Sequence, residues 1–312
     1  MSATISRRSA LLAGTAALAG TAARAETPQP KPPFKLCLNT STVRTPDGKS
    51  RDIVELIAVA SKAGYRAVEP WVAEIEAYGK GGGTPEELKK RFADADLEVP
   101  DAIGFAEWIV ADPARRKQGM EQAKRDMDLV SRVGGTRIAA PPVGATKPSD
   151  PAIDLLKAAD RYRELWDLGH AMGVTPLVEV WGFSATLKRL GETLLVAAES
   201  GVKGAAVLPD VYHLYKGGSD FAGMALLSAS AVGIFHVNDY PAIDRAKITD
   251  ADRVYPGDGV APLVNVVKTL RANGYAGCLS VELFNRGYWK QDPHAVAKTA
   301  REKLEAVIAQ AA

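Results

Sequence analysis

From Phe34 onward the chain repeats one pattern: a short apolar run rich in Val, Ile and Leu, a polar turn, and a stretch whose apolar positions fall three and four residues apart. The apolar runs predict strands over 35–40, 66–71, 98–103, 136–140, 175–180, 205–209, 233–238 and 279–284, with eight helical stretches between them. In the first of these, 52–63, Ile53, Leu56, Ile57 and Ala60 share one helix face. Thr84, Pro85 and Glu87 stand as N-cap, first helical residue and the reciprocal partner of a capping box. Gly64, Gly134, Gly173, Gly201 and Gly274 fall where a helix must stop before the next strand. Eight strand–helix units in the 279 residues from Phe34 to Ala312 predict an α/β fold, a (β/α)8 TIM barrel in a single domain. A doubly wound open sheet would announce itself with a glycine-rich phosphate turn after its first strand, and Leu38-Asn39-Thr40-Ser41 has none.

The first 33 residues have a different texture. Ser6-Arg7-Arg8-Ser9 precedes an Ala-rich apolar stretch and the small-x-small site Ala23-Arg24-Ala25, with no acidic residue before Glu26. This reads as a twin-arginine secretory signal over 1–25, followed by a Pro-rich leader over 26–33 and the barrel over 34–312. The expected location after export is the periplasm or another extracytoplasmic space, without a stable membrane anchor.

Composition narrows the chemistry. With 46% hydrophobic and 24% charged residues the chain is neither fibrous nor disordered. Its formal charge is +2, and loss of Arg7, Arg8 and Arg24 with the signal takes this to −1, so no surplus of positive charge points to nucleic acid. Four histidines and two cysteines leave no room for a disulfide scaffold or a cysteine-rich zinc module. Cys37 and Cys278 fall on the first and last predicted strands, neighbours in a closed barrel, where a disulfide is geometrically conceivable and two buried free thiols are the preferred reading. His170 and His294 fall on predicted helices, away from any barrel mouth.

In a barrel, reactive side chains gather at the carboxyl ends of the strands. The last four predicted strands each deliver an ionisable residue there: Glu179, Asp210 with His213, His236 with Asp239, and Glu282. Three carboxylates buried side by side would each cost several kcal/mol unless a positive charge joined them. A divalent cation meets that need. Three oxygen donors and one imidazole favour Mn²⁺ first, with Mg²⁺, Co²⁺ or Zn²⁺ as alternatives. Trp71, Trp108 and Trp181 follow strand ends, where their faces could stack on sugar C–H surfaces; Glu69 and Glu107 are further mouth carboxylates, Glu107 being read as a solvated loop charge.

These residues, in strand order, resemble the xylose isomerase-like barrel superfamily of sugar isomerases and epimerases, in its single-metal branch of ketose 3-epimerases, hydroxypyruvate isomerase and inosose isomerases and dehydratases. Glu179, the D-x-x-H pair Asp210 and His213, the H-x-x-D pair His236 and Asp239, and Glu282 carry the likeness, with Pro256-Gly257-Asp258-Gly259 and Tyr65-Arg66-Ala67-Val68-Glu69 beside them. The resemblance implies that Glu179, Asp210, His236 and Glu282 bind the metal and that His213 and Arg253 contact substrate. Glu69, Trp71, Trp108, Trp181 and Asp239 are counted with them as substrate-binding candidates. Asn238, where the family often has Lys, and Ala185, where epimerases have an acid, point away from a simple ketohexose.

A carbon-bound proton is far less acidic than any carboxylic acid, so an enediolate must be stabilised as it forms. Glu179 and Glu282 are expected to be both ligand and acid/base, one removing the proton and the other returning it. The expected activity is metal-dependent isomerisation or epimerisation of an unphosphorylated keto-sugar or keto-inositol. Two rivals stand beside it: a lyase that expels a β-substituent from the same enediolate, and an exported sugar-binding protein without turnover. The related endonucleases of abasic DNA need several histidines beyond His213 and His236. A homo-oligomer is left open.

Overall fold

Residues 34–312 are described by a computed structural model; the predicted signal over 1–25 and the leader over 26–33 lie outside them. Seven of the predicted strands form: β1 (Lys35–Asn39), β2 (Ala67–Glu69), β3 (Arg137–Ala140), β4 (Thr175–Glu179), β5 (Ala206–Leu208), β6 (Phe235–Val237) and β7 (Cys278–Val281). They pair in parallel as β2-β1-β7-β6 and β3-β4-β5. The predicted strand over 98–103 is an extended segment instead, bridged only at its ends, Glu98 to Ala67 of β2 and Ile103 to Trp71 just past β2. Pro100 lies between those bridges and has no N–H to give the ladder, which is why regular pairing fails there. The segment still completes the wall, because Ala102 accepts a hydrogen bond from the Ala139 amide at 2.9 Å. The opposite seam closes through bridges from Val207 to Val232 and Asp210 to His236. Eight parallel staves thus form the closed wall of a (β/α)8 barrel.

Nine α-helices, rather than eight, cover the described residues: α1 (Ile53–Ala63), α2 (Val72–Lys80), α3 (Pro85–Asp94), α4 (Pro113–Arg132), α5 (Leu155–His170), α6 (Leu190–Glu199), α7 (Val211–Gly217), α8 (Leu263–Ala272) and α9 (Pro293–Gln310). The extra one arises because both α2 and α3 follow β2, split by the glycines at 81–83. Thr84 caps α3 as its pattern predicts: Thr84 Oγ1 accepts from the Glu87 amide at 3.2 Å, and Glu87 accepts from the Thr84 amide at 2.9 Å. Gly64 ends α1 at φ 87°, a conformation a β-carbon would strain. No helix of the described residues is long and apolar enough to cross a membrane.

The strands' two-residue period sorts side chains to two cores. Leu38, Val68, Ile138, Val178, Val207, Phe235 and Val281 face the helices. Cys37, Ala67, Ala139, Leu177, Ala206, Ile234 and Cys278 belong to a separate cluster inside the barrel. Both cysteines are free and buried; Cys37 lies in register with Ser280, and Cys278 with Lys35. His170 stacks on Trp166 within α5, their rings 4.5 Å apart, on the outer surface.

Candidate metal centre and active site

Two residues beyond six members of the inner apolar cluster, the same parity brings polar groups into the barrel: Asn39, Glu69, Glu179, Asp210, His236 and Ser280 follow Cys37, Ala67, Leu177, Leu208, Ile234 and Cys278. Glu282 follows Ser280. Asp210, His236 and Glu282, all buried, place one ligand atom each within 4.8 Å of one another.

Local structure orients each donor. Asp210 is the N-cap of α7, and its Oδ1 accepts from the His213 amide at 2.7 Å, so the D-x-x-H spacing is a helix start. Asn238 braces the pair, donating from Nδ2 to Asp210 Oδ2 at 2.8 Å and accepting the Tyr212 amide at 2.8 Å. His236 donates from Nε2 to Glu69 Oε1 at 2.9 Å, because Glu69 already serves as acceptor for Asn39 at 2.8 Å and Ser280 at 2.6 Å. That leaves His236 Nδ1 facing Glu282 Oε2, 3.2 Å away, and Asp210 Oδ2, 3.7 Å away; burial opposes a charge on the ring, but Glu69 and Glu282 outweigh it and hold the imidazole well above its ordinary range, a positive charge that a bound cation would replace. Nδ1 is buried and has no hydrogen-bond partner, and Glu179 Oε2 is likewise buried and unpartnered. Arg253 Nη1 donates to the same two carboxylate oxygens, Asp210 Oδ2 at 3.0 Å and Glu282 Oε2 at 2.8 Å. A cationic group therefore already sits between them, and hard oxygens, an orphaned imidazole nitrogen and a facing carboxylate form a donor set that fits a divalent cation.

The two glutamates differ sharply. Burial holds Glu179 well above the usual carboxylate range; His236 pulls it down, but Glu282 and Asp210 push it further up. Burial opposes ionisation of Glu282 too, yet His236 and Arg253 outweigh it and keep that carboxyl low. Burial lowers His213 to about 3, so its ring is neutral. Arg253 Nη2 can only donate, so at 3.1 Å it meets the His213 Nε2 lone pair, which puts the ring proton on Nδ1, a buried donor without a partner.

Above this base opens a cavity of about 240 Å³ lined by Glu179, His213, Asp250, Arg253, Glu282 and a wall of rings. Trp71 contacts Phe105 at 4.9 Å and Phe284 at 6.3 Å, and Trp181 contacts Phe183 at 5.0 Å. Arg44 stacks over Trp71 from 4.1 Å.

Of the predicted site residues, Glu179, Glu282, His213, Arg253, Trp71 and Trp181 line the cavity, and Asp210 and His236 lie with Glu282 in the candidate metal cluster. Three do not reach it. Trp108 is sealed in the core between β3 and α5, its Nε1 donating to the Pro141 carbonyl at 2.9 Å and its ring edge-on to Tyr162. Glu69 lies beneath His236 rather than at the mouth. Asp239 is consumed by the amides of Tyr240, Gly257 and Ala261 at 2.8, 3.0 and 2.9 Å, so it organises the Pro-Gly-Asp-Gly turn. Gly259 is needed there, since a β-carbon would stand 2.2 Å from the Tyr240 carbonyl oxygen. Glu107 pairs with Arg115 at 2.6 Å, as a loop charge.

Sequence reasoning missed Phe105, Phe183, Phe284, Asp250 and Asp101. The three rings were legible by parity, each two residues beyond an inward position, Ile103, Trp181 and Glu282. Asp101 is buried behind Glu69, where burial and the Glu69 charge raise it well above the carboxylate range. Asp250 stands in the segment between β6 and α8, outside any periodic pattern.

Comparison with known proteins agrees with this architecture. Residues 57–307 match the family described as xylose isomerase-like TIM barrel. The inosose isomerase of Bacillus velezensis is 27% identical over 277 residues, 88% of this chain and 97% of that protein. The 3-dehydroshikimate dehydratase of Pseudomonas aeruginosa is 25% identical over 244 residues, 77% of this chain and 37% of its own length. Among solved structures, an IolI protein with a bound zinc atom superposes with a TM-score of 0.80 at 19% identity, covering 89% of this chain and 99% of that one, a likeness of fold.

Proposed function

Because the chain belongs to the xylose isomerase-like TIM barrel family, we propose that it is a divalent-metal-dependent isomerase or epimerase of an unphosphorylated keto-sugar or keto-inositol. The observation that carries this reading is the buried Asp210–His236–Glu282 cluster, with its orphaned imidazole nitrogen, at the floor of a ring-lined cavity. Asp210, Glu282 and His236 Nδ1 would hold the cation, with Glu179 as a fourth donor, and Mn²⁺ is the expected ion. When bound, it supplies Lewis-acid stabilisation of charge developing on the substrate's carbonyl and hydroxyl oxygens.

The chain's own groups do the rest. Glu179 and Glu282 rise from β4 and from the end of β7, with β5 and β6 between them, and so approach the cavity from different sides. One removes the carbon-bound proton and the other returns it at the neighbouring carbon or on the opposite face. His213 Nδ1 offers a hydrogen bond to a substrate oxygen, and Arg253 a fixed positive charge. Trp71, Phe105, Trp181, Phe183 and Phe284 pack against C–H faces and exclude water. The twin-arginine pattern supports action outside the cytoplasm, which fractionation of the expressed full chain tests.

The decisive experiment incubates the protein with inosose and with keto-hexoses in D₂O, after chelator dialysis and after reloading with Mn²⁺. Metal-dependent deuterium incorporation without change of carbon skeleton is expected; no incorporation into any keto-polyol would overturn the reading. A second reading, dehydration or elimination, draws on the dehydratase relative, because abstraction of the same proton can expel a β-substituent. Loss of water or of an aglycone in product mass spectra would favour it.

A further inference from the structure

Three carboxylates line the cavity, and they are not equivalent. Glu179 and Glu282 are buried at the floor, whereas the Asp250 side chain is 39% accessible. Its Oδ1 accepts from Arg253 Nη2 at 2.5 Å, and no described residue donates to its Oδ2. One oxygen is thus spent on the arginine and the other is left as an acceptor at the solvent side of the cavity.

The segment that carries it is held from several directions. Asp252 accepts from both the amide and the hydroxyl of Thr249 at 2.8 Å, closing a single 3₁₀ turn over Asp250–Asp252. Ile248 is buried, and its carbonyl accepts from Lys216 Nζ at 2.8 Å and from the Tyr212 hydroxyl at 3.4 Å. Asp239 and Val254 exchange backbone hydrogen bonds at 3.0 and 2.8 Å. A carboxylate fixed in this way keeps one position as substrate arrives, and so can discriminate rather than adapt.

The geometry points to Asp250 as a specificity-determining residue for the reaction proposed above, on which this inference rests. Its Oδ2 accepts a hydrogen bond from a hydroxyl of a neutral polyol ketone, and its charge turns away substrates that bring a carboxylate or phosphate to that wall. The remaining cavity lining agrees: Arg253 Nη1 and Nη2 are engaged by Asp210, Glu282, His213 and Asp250, so both terminal nitrogens of the one arginine among the lining residues are taken, and only its buried Nε has no partner. Ligands should therefore be hydroxyl-rich and uncharged away from the ketone.

The test compares a neutral 3-keto-glucoside with the matching 3-keto-glucuronide, which differs by a carboxylate in place of a hydroxymethyl group. Binding is read by calorimetry on Mn²⁺-loaded protein, and turnover by deuterium incorporation. Wild type should prefer the neutral ligand by about tenfold or more. Asp250→Asn keeps an acceptor for Arg253 but removes the charge, and should bring that preference to within about twofold, acting on KM more than on kcat. Asp250→Glu should restore it. A ratio unchanged in Asp250→Asn, or equal binding of both ligands by wild type, overturns the assignment. Selective binding without deuterium incorporation would overturn the enolisation reading and leave the selectivity assignment standing, whereas incorporation without selectivity would do the reverse.

Discussion

Inside the barrel, two adjacent layers of side chains rise from the same strands at the same parity, and their chemistry is opposite. The lower layer of Cys37, Ala67, Ala139, Leu177, Ala206 and Ile234 carries no ionised group. Above it, Asn39, Glu69, Glu179, Asp210 and His236 make a buried network in which almost every oxygen and nitrogen is matched. The lower layer is held by contact alone and tolerates no void; the upper one is held by directed bonds and tolerates no missing partner. The exceptions in the upper layer, His236 Nδ1 and Glu179 Oε2, are where a cation and a substrate proton are expected. A dry floor beneath the network keeps water from those groups and strengthens every charge interaction above it.

The contrast can be broken from either side. The largest effect is expected at the acid/base carboxyls: Glu179→Gln and Glu282→Gln should each lower proton exchange between substrate and solvent by about 10²–10⁴-fold. Far-UV circular dichroism should be unchanged, and normal exchange in either variant would remove that residue from the chemistry. Next comes the floor. Leu177→Ala should cost about 2–5 kcal/mol of stability by opening a cavity in a fully buried layer. In chemical denaturation this appears as a lower midpoint, with metal stoichiometry retained.

A smaller effect sharpens the join between the layers. Glu69→Gln leaves the shape but weakens the acceptor that orients His236, and should loosen metal binding by about 10–100-fold in competition titrations. Equal affinity in that variant would mean the imidazole is held by packing alone.

The smallest effect lies on the outer helices, at a buried carboxyl where Gln122 and Arg125 do not make up for burial. Asp126 on α4 is pushed up to about 6, by burial first and then by Glu76. Its folded value lies above its unfolded one, so folding favours the protonated form. The fold is unpenalised below about pH 4, loses stability as pH rises toward 6, and carries the full cost above that. Asp126→Asn should thus raise Tm at pH 7, by the equivalent of about 1 kcal/mol after solvent screening, and leave it unchanged near pH 4.

Much of this was legible in the chain before folding was considered. Alternation of apolar and polar residues located seven strands and the eighth stave, and strand ends located Glu179, Asp210, His236 and Glu282, of which the last three gather in one buried cluster. Asp210 and His213 could be read together because their spacing belongs to one helix start, a local event. Trp108 and Asp239 were misplaced for a shared reason. Each lies in a connection beyond a strand end, where no periodicity says which way a side chain turns, and a nearby carbonyl or cluster of amides claimed it. Pro100 showed the reverse: an apolar run alone suggested a strand, while one missing N–H decided against regular pairing.

The sequence by itself determined which residues face the barrel interior, because a two-residue period is a property of the backbone and requires no partner. Only the tertiary structure decided which of those residues meet. Glu69 and His236 stand 167 positions apart, and only barrel closure brings them to 2.9 Å and turns Nδ1 toward the carboxylates. Asp250 is the extreme case: its place at the cavity comes from anchors on Thr249, Ile248 and Asp239, contacts that exist only once the wall beneath them has closed.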